Sequence, residues 1–180
     1  ATLKRMGYEQ AEQCVHLPYA LVMLPDGKMS SREGNVILFS KLRKEIVESI
    51  RSTHLEEHCK DWSRKELDDT SHKIAVAAIK YGMLNQDSNK NIVFSMDDWL
   101  VSEGDTGTYL VYAYVRIRSI GRKIAREVSP DVDFSLLKHP NEKKLLRQML
   151  DFNETVFNAG EQFRPSMLAR MLFEFSKDFS

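Results

Sequence analysis

The chain has 180 residues, equal numbers of acidic and basic side chains and a formal net charge of zero. Apolar residues make up 42% of the chain and charged residues 29%, a composition that excludes wholesale disorder. No stretch reaches the roughly 18 consecutive apolar residues of a membrane span, so we expect no membrane partner. The chain starts at Ala1 without an apolar signal segment, which predicts a cytoplasmic piece cut from something longer.

Cysteine and histidine are too sparse to indicate a disulfide framework or a metal centre. Cys14 and Cys59 form no CxxC pair, so we expect two reduced thiols. His54 and His58 have i, i+4 spacing, but without an HExxH pattern we predict that both are surface residues. The sequence therefore predicts no metal site.

The first forty residues resemble the edge of an α/β unit. An apolar run over 16–24 predicts a strand, and the Pro-Asp-Gly turn over 25–27 is expected to reverse the chain. A second short apolar run over 36–39 predicts another strand or extended segment. Two edge strands cannot have both faces covered within this chain, which again favours a fragment.

The pattern becomes helical after Ser40, which is a good N-cap for a helix that places Ile46 and Ile50 on one face. Ser63 and Glu66 have the spacing of a capping box for the next helix, whose small residues suggest close packing. A polar break follows, and Ser95 is expected to start a short helix.

A segment with two glycines over 102–108 predicts a domain boundary. A long amphipathic helix should run from Tyr109 to about Val128, and further helices should begin at Pro140 and Pro165. We therefore predict a mainly α chain, in which an α/β edge over 1–102 is followed by a helical bundle over 103–180.

The polar segment KMSSREG has the residues that a polyphosphate site needs. Lys28 and Arg32 can neutralise phosphate charge, and Ser30 and Ser31 can donate hydrogen bonds. Gly34 lets the backbone come close to a ligand. The alternative is a basic, solvated hairpin loop.

The long helix carries a basic stripe. Its cations, with no acid among them, are Arg116, Arg118, Arg122, Lys123 and Arg126. Three of these arginines share one face through i, i+4, i+8 spacing, which is typical of a phosphate track or, alternatively, of a solvated helix face. The opposite face is predicted to enter the core and consists of Leu110, Tyr114, Ile117, Ile124 and Val128.

The KMSSR segment resembles the KMSKS signature of class I aminoacyl-tRNA synthetases. The surrounding HLPYALVMLPDGKMSSREGN, and then IKYGMLNQ, NIVFSMDDWL and SEGDTGTYLVYAYVRIRSI in the same order, are similar to the arginyl type, most of all to its eukaryotic cytosolic form. The resemblance implies an enzyme that uses ATP with Mg²⁺ to attach arginine to its tRNA. It also implies that the α/β edge belongs to a class I nucleotide-binding domain and that the bundle binds the anticodon.

The resemblance assigns roles to particular residues. It implies that Lys28 and Arg32 serve catalysis, and that the phosphates of ATP are held by Lys28, Ser30, Ser31, Arg32 and Gly34. It implies tRNA contacts for Tyr109, Tyr112 and Arg116. It also favours a phosphate track over a solvated face for the basic stripe, so we expect Arg118, Arg122 and Arg126 to contact the RNA backbone. Ser31 stands where the signature usually has a lysine, and no HxGH sequence occurs, so we expect the chain alone to form no arginyl adenylate.

Three alternatives stay open at this point. Tyr109 and Tyr112 could be core residues instead of RNA contacts. The chain could come from a different class I synthetase with a similar bundle. It could also be a non-enzymatic RNA- or protein-binding module that descended from a synthetase.

Overall fold

The computed structural model describes residues 2–25, 27–28, 37–124 and 131–180. In chain order its helices are α1 (Thr2–Arg5), α2 (Phe39–His54), α3 (Arg64–Leu84), α4 (Met96–Leu100), α5 (Gly107–Ile124), α6 (Pro140–Glu161) and α7 (Pro165–Phe179). Its strands are β1 (Val22–Leu24), β2 (Gly27–Lys28) and β3 (Ile92–Val93). The prediction of a mainly α chain with a small β edge is confirmed. Within the described ranges, no helix combines the length and apolarity needed to cross a bilayer.

The sheet has the strand order β2-β1-β3. Strands β1 and β2 are antiparallel, with Met23 opposite Lys28, so the chain reverses where the turn was predicted. Gly27 has φ +137°, a backbone conformation that favours glycine.

Strand β1 starts only at Val22, which makes it shorter than predicted. Of the strand or extended segment predicted over 36–39, Leu38 is extended, whereas Phe39 already belongs to α2.

Strand β3 is an element that the sequence analysis missed. It pairs in parallel with β1, with Ile92 opposite Val22. A two-residue strand has no periodicity of its own, and its partner lies seventy positions earlier in the chain. Local pattern therefore could not identify it.

The hydrophobic core lies between α2, α3, α4 and the sheet. Ile46 and Ile50 are fully buried on the predicted face of α2, and they meet Ala75 and Ala78 of α3. The remaining buried members of this cluster are Leu55, Phe94 and Leu100. Region 37–100 thus has a continuous apolar centre.

Local hydrogen bonds explain where several helices begin. The hydroxyl of Ser63 accepts from the Glu66 amide at 3.2 Å, and the Ser63 amide donates to the Glu66 carboxylate at 2.9 Å, which confirms the capping box. The hydroxyl of Ser95 caps α4. Ser40 is not the cap of α2, however, because the N-cap position is occupied by Leu38, two residues earlier.

Small residues bring α3, α5 and α7 together. Gly107 at the start of α5 is buried against α3, where an added Cβ would overlap the Ala77 carbonyl. On α7, Ser166, Ala169 and Ser176 are buried. Helix α6 packs along α7. Region 107–180 is therefore held by close helix contacts and has few large buried side chains.

His54 is not the surface residue that was predicted. Its ring is partly buried, with Nε2 3.0 Å from the Leu100 carbonyl oxygen and Nδ1 3.3 Å from the Ser102 hydroxyl. Its place in the fold follows from the connection between α4 and α5, which returns to the end of α2. His58 is also partly covered, by stacking on Trp62 at a centroid distance of 4.5 Å.

Candidate nucleic-acid interface and nucleotide loop

Helix α5 is positioned by a polar turn at its N-terminus. The hydroxyl of Thr106 accepts a hydrogen bond from the Tyr109 amide at 3.1 Å, which satisfies one free amide of the first turn. The buried hydroxyl of Tyr81 on α3 donates to the Asp105 carboxylate beside it. Burial and this bond raise the pKa of Tyr81. The start of α5 is therefore attached to α3 by both polar and close backbone contacts.

Tyr109 anchors α5 to α7. Its ring is half-buried and meets Phe173 edge-on at a centroid distance of 5.8 Å, and its hydroxyl donates to the Ser176 carbonyl at 3.5 Å. These contacts give Tyr109 a packing role, in line with the core alternative. Contact between Tyr109 and RNA stays a prediction.

Tyr112 and Arg116 lie one helical turn apart on an open face of α5. The side chain of Tyr112 is 51% exposed, so it is not a core residue. Arg116 is also exposed, and its Nη1 donates to the carbonyl oxygen of Ser180 at 3.4 Å. A phenol ring and a guanidinium plane with i, i+4 spacing can present two flat surfaces to unpaired bases.

Arg118 and Arg122 form a second row, and both are exposed. Within the described ranges neither arginine has an acidic partner, and the same is true of Lys123. The predicted shared face is confirmed for Arg118 and Arg122, whereas Arg126 lies outside the described residues. Cations on an exposed helix face can neutralise RNA phosphates.

The predicted apolar face of α5 is largely wrong. Tyr114 is 61% exposed and Ile124 57%, Ile117 is exposed as well, and only Leu110 is partly buried. Val128 lies outside the described residues. The reason is that α3 and α7 cover the early turns of α5, while the described part of the chain leaves the later turns open.

Tyr114 is a candidate site residue that the sequence analysis missed. It stands at i, i+4, i+8 with Arg118 and Arg122, so an exposed aromatic ring continues their row. The i, i+4, i+8 spacing already indicates that Tyr114 shares a face with the two arginines. Counting apolar residues instead groups Tyr114 with the core.

The candidate nucleotide loop begins where β2 ends. The hairpin places the backbone of Lys28 opposite Met23 of β1. The other predicted ATP contacts, namely Ser30, Ser31, Arg32 and Gly34, lie outside the described residues. No three His, Cys, Asp or Glu side chains converge to hold a metal in the described ranges.

Family models match both parts of the chain. Residues 1–96 match the model for the catalytic domain of class I tRNA synthetases of the (R) type. Residues 110–180 match the DALR anticodon binding domain. The two matches fall on either side of the turn that leads into α5.

Curated relatives agree with these matches. The arginine–tRNA ligase of Bdellovibrio bacteriovorus is 39% identical over 99% of this chain and 31% of its own length. That of Clostridium acetobutylicum is 34% identical, with the same coverage. The chain therefore spans about 31% of the length of these relatives. Both are bacterial, so they do not support the predicted likeness to the eukaryotic cytosolic form.

Solved structures show the same fold. Thermus thermophilus arginyl-tRNA synthetase superposes with a TM-score of 0.84 at 30% identity, covering 98% of this chain and 29% of that one. The synthetase from Plasmodium falciparum gives a TM-score of 0.70 at 24% identity, covering 89% and 27%. At that identity, the second structure shows a shared fold alone.

Proposed function

Because the chain belongs to the arginyl family of class I tRNA synthetases, we propose that it is part of an arginine–tRNA ligase. The full-length enzyme would use ATP, with its Mg²⁺, to activate arginine and would transfer the amino acid to its tRNA. The (R)-type match argues against the alternative of a different class I synthetase. The chain's own part in this reaction would be to bind tRNA with α5 and ATP with the KMSSREG segment.

The exposed pair of Tyr112 and Arg116 is the observation that carries this proposal. Both side chains lie near the start of the segment that matches an anticodon-binding domain. Unpaired bases stack on aromatic rings and guanidinium planes, and each stacked base contributes roughly 1–3 kcal/mol. Tyr112 and Arg116 would hold anticodon bases, with Tyr109 supporting the helix beneath them. Arg118, Arg122 and Arg126 would contact the RNA backbone.

The proposed ATP site rests on the charged and hydroxyl side chains of the KMSSREG segment. Lys28 and Arg32 would neutralise the phosphates and favour the charge that develops on them during activation. The hydroxyls of Ser30 and Ser31 would donate hydrogen bonds, and Gly34 would let the backbone come close. Since no HxGH sequence occurs in the 180 residues, the chain alone is expected not to make arginyl adenylate.

The last two parts of the proposal concern the domain bounds and the cellular compartment. We place the end of the catalytic domain over 1–102 and the anticodon-binding domain over 103–180. A cytoplasmic location fits Cys14 and Cys59, both of which are exposed free thiols and would stay reduced there.

A tRNA titration tests the proposal. The chain is titrated with arginine tRNA and with the same tRNA carrying a changed anticodon, at one salt concentration because backbone contacts are salt-dependent. Tyr112→Ala should weaken binding of the intact tRNA by about 1–3 kcal/mol. Tyr19→Ala, which removes a 90% exposed ring far from α5 in sequence, should leave binding unchanged.

Two results would contradict the proposal. Equal affinity for both tRNAs would favour the remaining alternative, a helical module that binds RNA without reading the anticodon. An equal loss of affinity in Tyr112→Ala and Tyr19→Ala would exclude a specific role for α5.

A further inference from the structure

One carboxylate links the two regions of the chain. Asp87 lies between α3 and β3, and its Oδ1 accepts hydrogen bonds from Arg164 at 3.0 and 3.3 Å and from the Ser166 hydroxyl at 2.8 Å. Arg164 directly precedes α7, and Ser166 is buried in its first turn. These bonds, from Ser166 first and then Arg164, lower the pKa of Asp87, so it is ionised at neutral pH. Asp87 therefore holds the start of α7 with a charged group.

The turn before α7 is tightly constrained. Phe163 has φ +52°, a left-handed conformation that is uncommon for a residue with a large side chain. The amide of Arg164 donates to the Ala159 carbonyl at 2.9 Å, which closes the turn onto the end of α6. The guanidinium thus reaches Asp87 from a fixed backbone position.

The Asp87 segment is also bonded to the sheet. The amide of Ala20 donates to the Ser88 carbonyl at 2.9 Å, and the amide of Leu21 donates to Asn91 Oδ1 at 3.1 Å. The segment then becomes β3, which pairs with β1. Strand β1 leads into the hairpin that ends at Lys28, where the proposed ATP segment begins. A short bonded connection therefore runs from the start of α7 to the strand beside the nucleotide loop.

The other end of α7 supports the proposed RNA-binding helix. Tyr109 of α5 contacts Phe173 and Ser176 on α7, as described above. The start of α5 is held on α3, so a rotation of α7 relative to the sheet would act on α5 through Tyr109 and disturb the later turns that carry Tyr112 and Arg116. The bonds of Asp87 to Arg164 and Ser166 oppose such a rotation.

We propose that Asp87 is a positioning residue that couples tRNA recognition on α5 to the rate of aminoacylation, by fixing α7 against the β1–β3 sheet edge through Arg164 and Ser166. This inference rests on the proposed function. It predicts that loss of Asp87 leaves tRNA binding intact but disturbs the alignment of bound tRNA with the ATP site. The effect should appear in kcat and not in KM.

The test uses the full-length ligase that contains this chain. In Asp87→Ala, kcat for charging arginine tRNA should fall about tenfold, because a small misplacement of the reacting groups costs up to about a hundredfold in rate. KM for tRNA should stay within about twofold, because the α5 surface is unchanged. Asp87→Glu should restore most of kcat, since it returns a carboxylate to Arg164 and Ser166.

Asp178 provides a matched control. Its carboxylate accepts from Lys144 at 2.6 Å and from Gln148 at 2.7 Å, and so ties α6 to α7 entirely within the helical region. Asp178→Ala removes a similar link without touching the connection to the sheet. It should lower the melting temperature about as much as Asp87→Ala and leave kcat near that of the wild type.

The outcomes separate this inference from the proposed function. If the wild-type protein does not charge arginine tRNA, the proposed function fails, and the role of Asp87 fails with it. If the wild type is active but Asp87→Ala keeps its kcat, or raises only KM, the positioning role is overturned and the proposed function stands. If Asp178→Ala lowers kcat as much as Asp87→Ala does, Asp87 has only a general structural role. The same conclusion holds if Asp87→Glu does not restore kcat.

Discussion

Regions 37–100 and 107–180 of the same chain are stabilised in different ways. In the first region large apolar side chains such as Ile46 and Ile50 are completely buried. In the second region the buried apolar residues are small, as at Ala113 and Ala169, while many large apolar side chains are exposed. These exposed residues on α5 and α6 include Ile120, Ile124, Met149, Leu150 and Phe157.

This difference indicates which part of the chain has exposed side chains that can contact a partner. Residues in a dense core are used to hold their neighbours and are not available for recognition. On α5, cations and aromatic rings share the exposed later turns, so they can meet RNA without unfolding any packed layer. The first region supports helix α5, and in the proposed function the second region would supply the contacts with RNA.

Core truncation should give the largest effect and separate the two regions. Ile46→Ala removes a side chain with 0% exposure from α2 and should lower the free energy of unfolding by about 2–5 kcal/mol. Ile120→Ala on α5, where the side chain is 41% exposed, should change it by less than about 0.5 kcal/mol. Urea unfolding of both variants measures the difference. Equal losses would contradict the contrast between a packed region and an open one.

The close contact between α3 and α5 should be the next most sensitive feature. Gly107→Ala inserts a Cβ into the Ala77 carbonyl and should destabilise the chain by about 1–3 kcal/mol. Gly121→Ala on the same helix meets nothing within 4 Å and should stabilise it by about 0.5–1 kcal/mol, because alanine loses less backbone entropy on folding. Thermal unfolding compares them, and a neutral Gly107→Ala would show that the two helices do not touch at this point.

A smaller effect is expected from the link between α6 and α7. Hydrogen bonds from Lys144 and then Gln148 lower the pKa of Asp178 in the folded chain. A lowered pKa gives a stabilisation that is present above the unfolded value of about 3.9 and is lost as pH falls through the folded value. The melting temperature of Asp178→Asn should therefore lie below that of the wild type at pH 7 and approach it in acid. A constant difference across this pH range would exclude the ion pair as the cause.

Features that depend on neighbouring residues could be predicted from the sequence. Ser63 and Glu66 form their capping box because both partners lie within one turn, and Pro140 and Pro165 begin helices because proline suits a first turn. Spacing also placed Ile46 on the buried face of α2. In each case the determining contacts are local or follow the helical period.

Features that depend on distant segments could not be predicted. Strand β3 exists because β1 lies beside it, and His54 is partly covered because the α4–α5 connection returns to it. Counting apolar residues groups Tyr114 with the core, but its spacing also places it in the row of Arg118 and Arg122, and its ring is 61% exposed. For the candidate site, the cationic spacing of Arg118 and Arg122 was predictable, whereas the exposure of Tyr114 required the packing.

The most direct measurement combines Arg116→Ala with a changed anticodon. Binding of intact and changed arginine tRNA is measured for the wild type, for Arg116→Ala and for Arg43→Ala, which removes an equally charged, exposed side chain from α2. If this face of α5 reads the anticodon, the wild type and Arg43→Ala will prefer the intact anticodon and Arg116→Ala will lose this preference. A preference that survives in Arg116→Ala would contradict anticodon recognition by this face of α5.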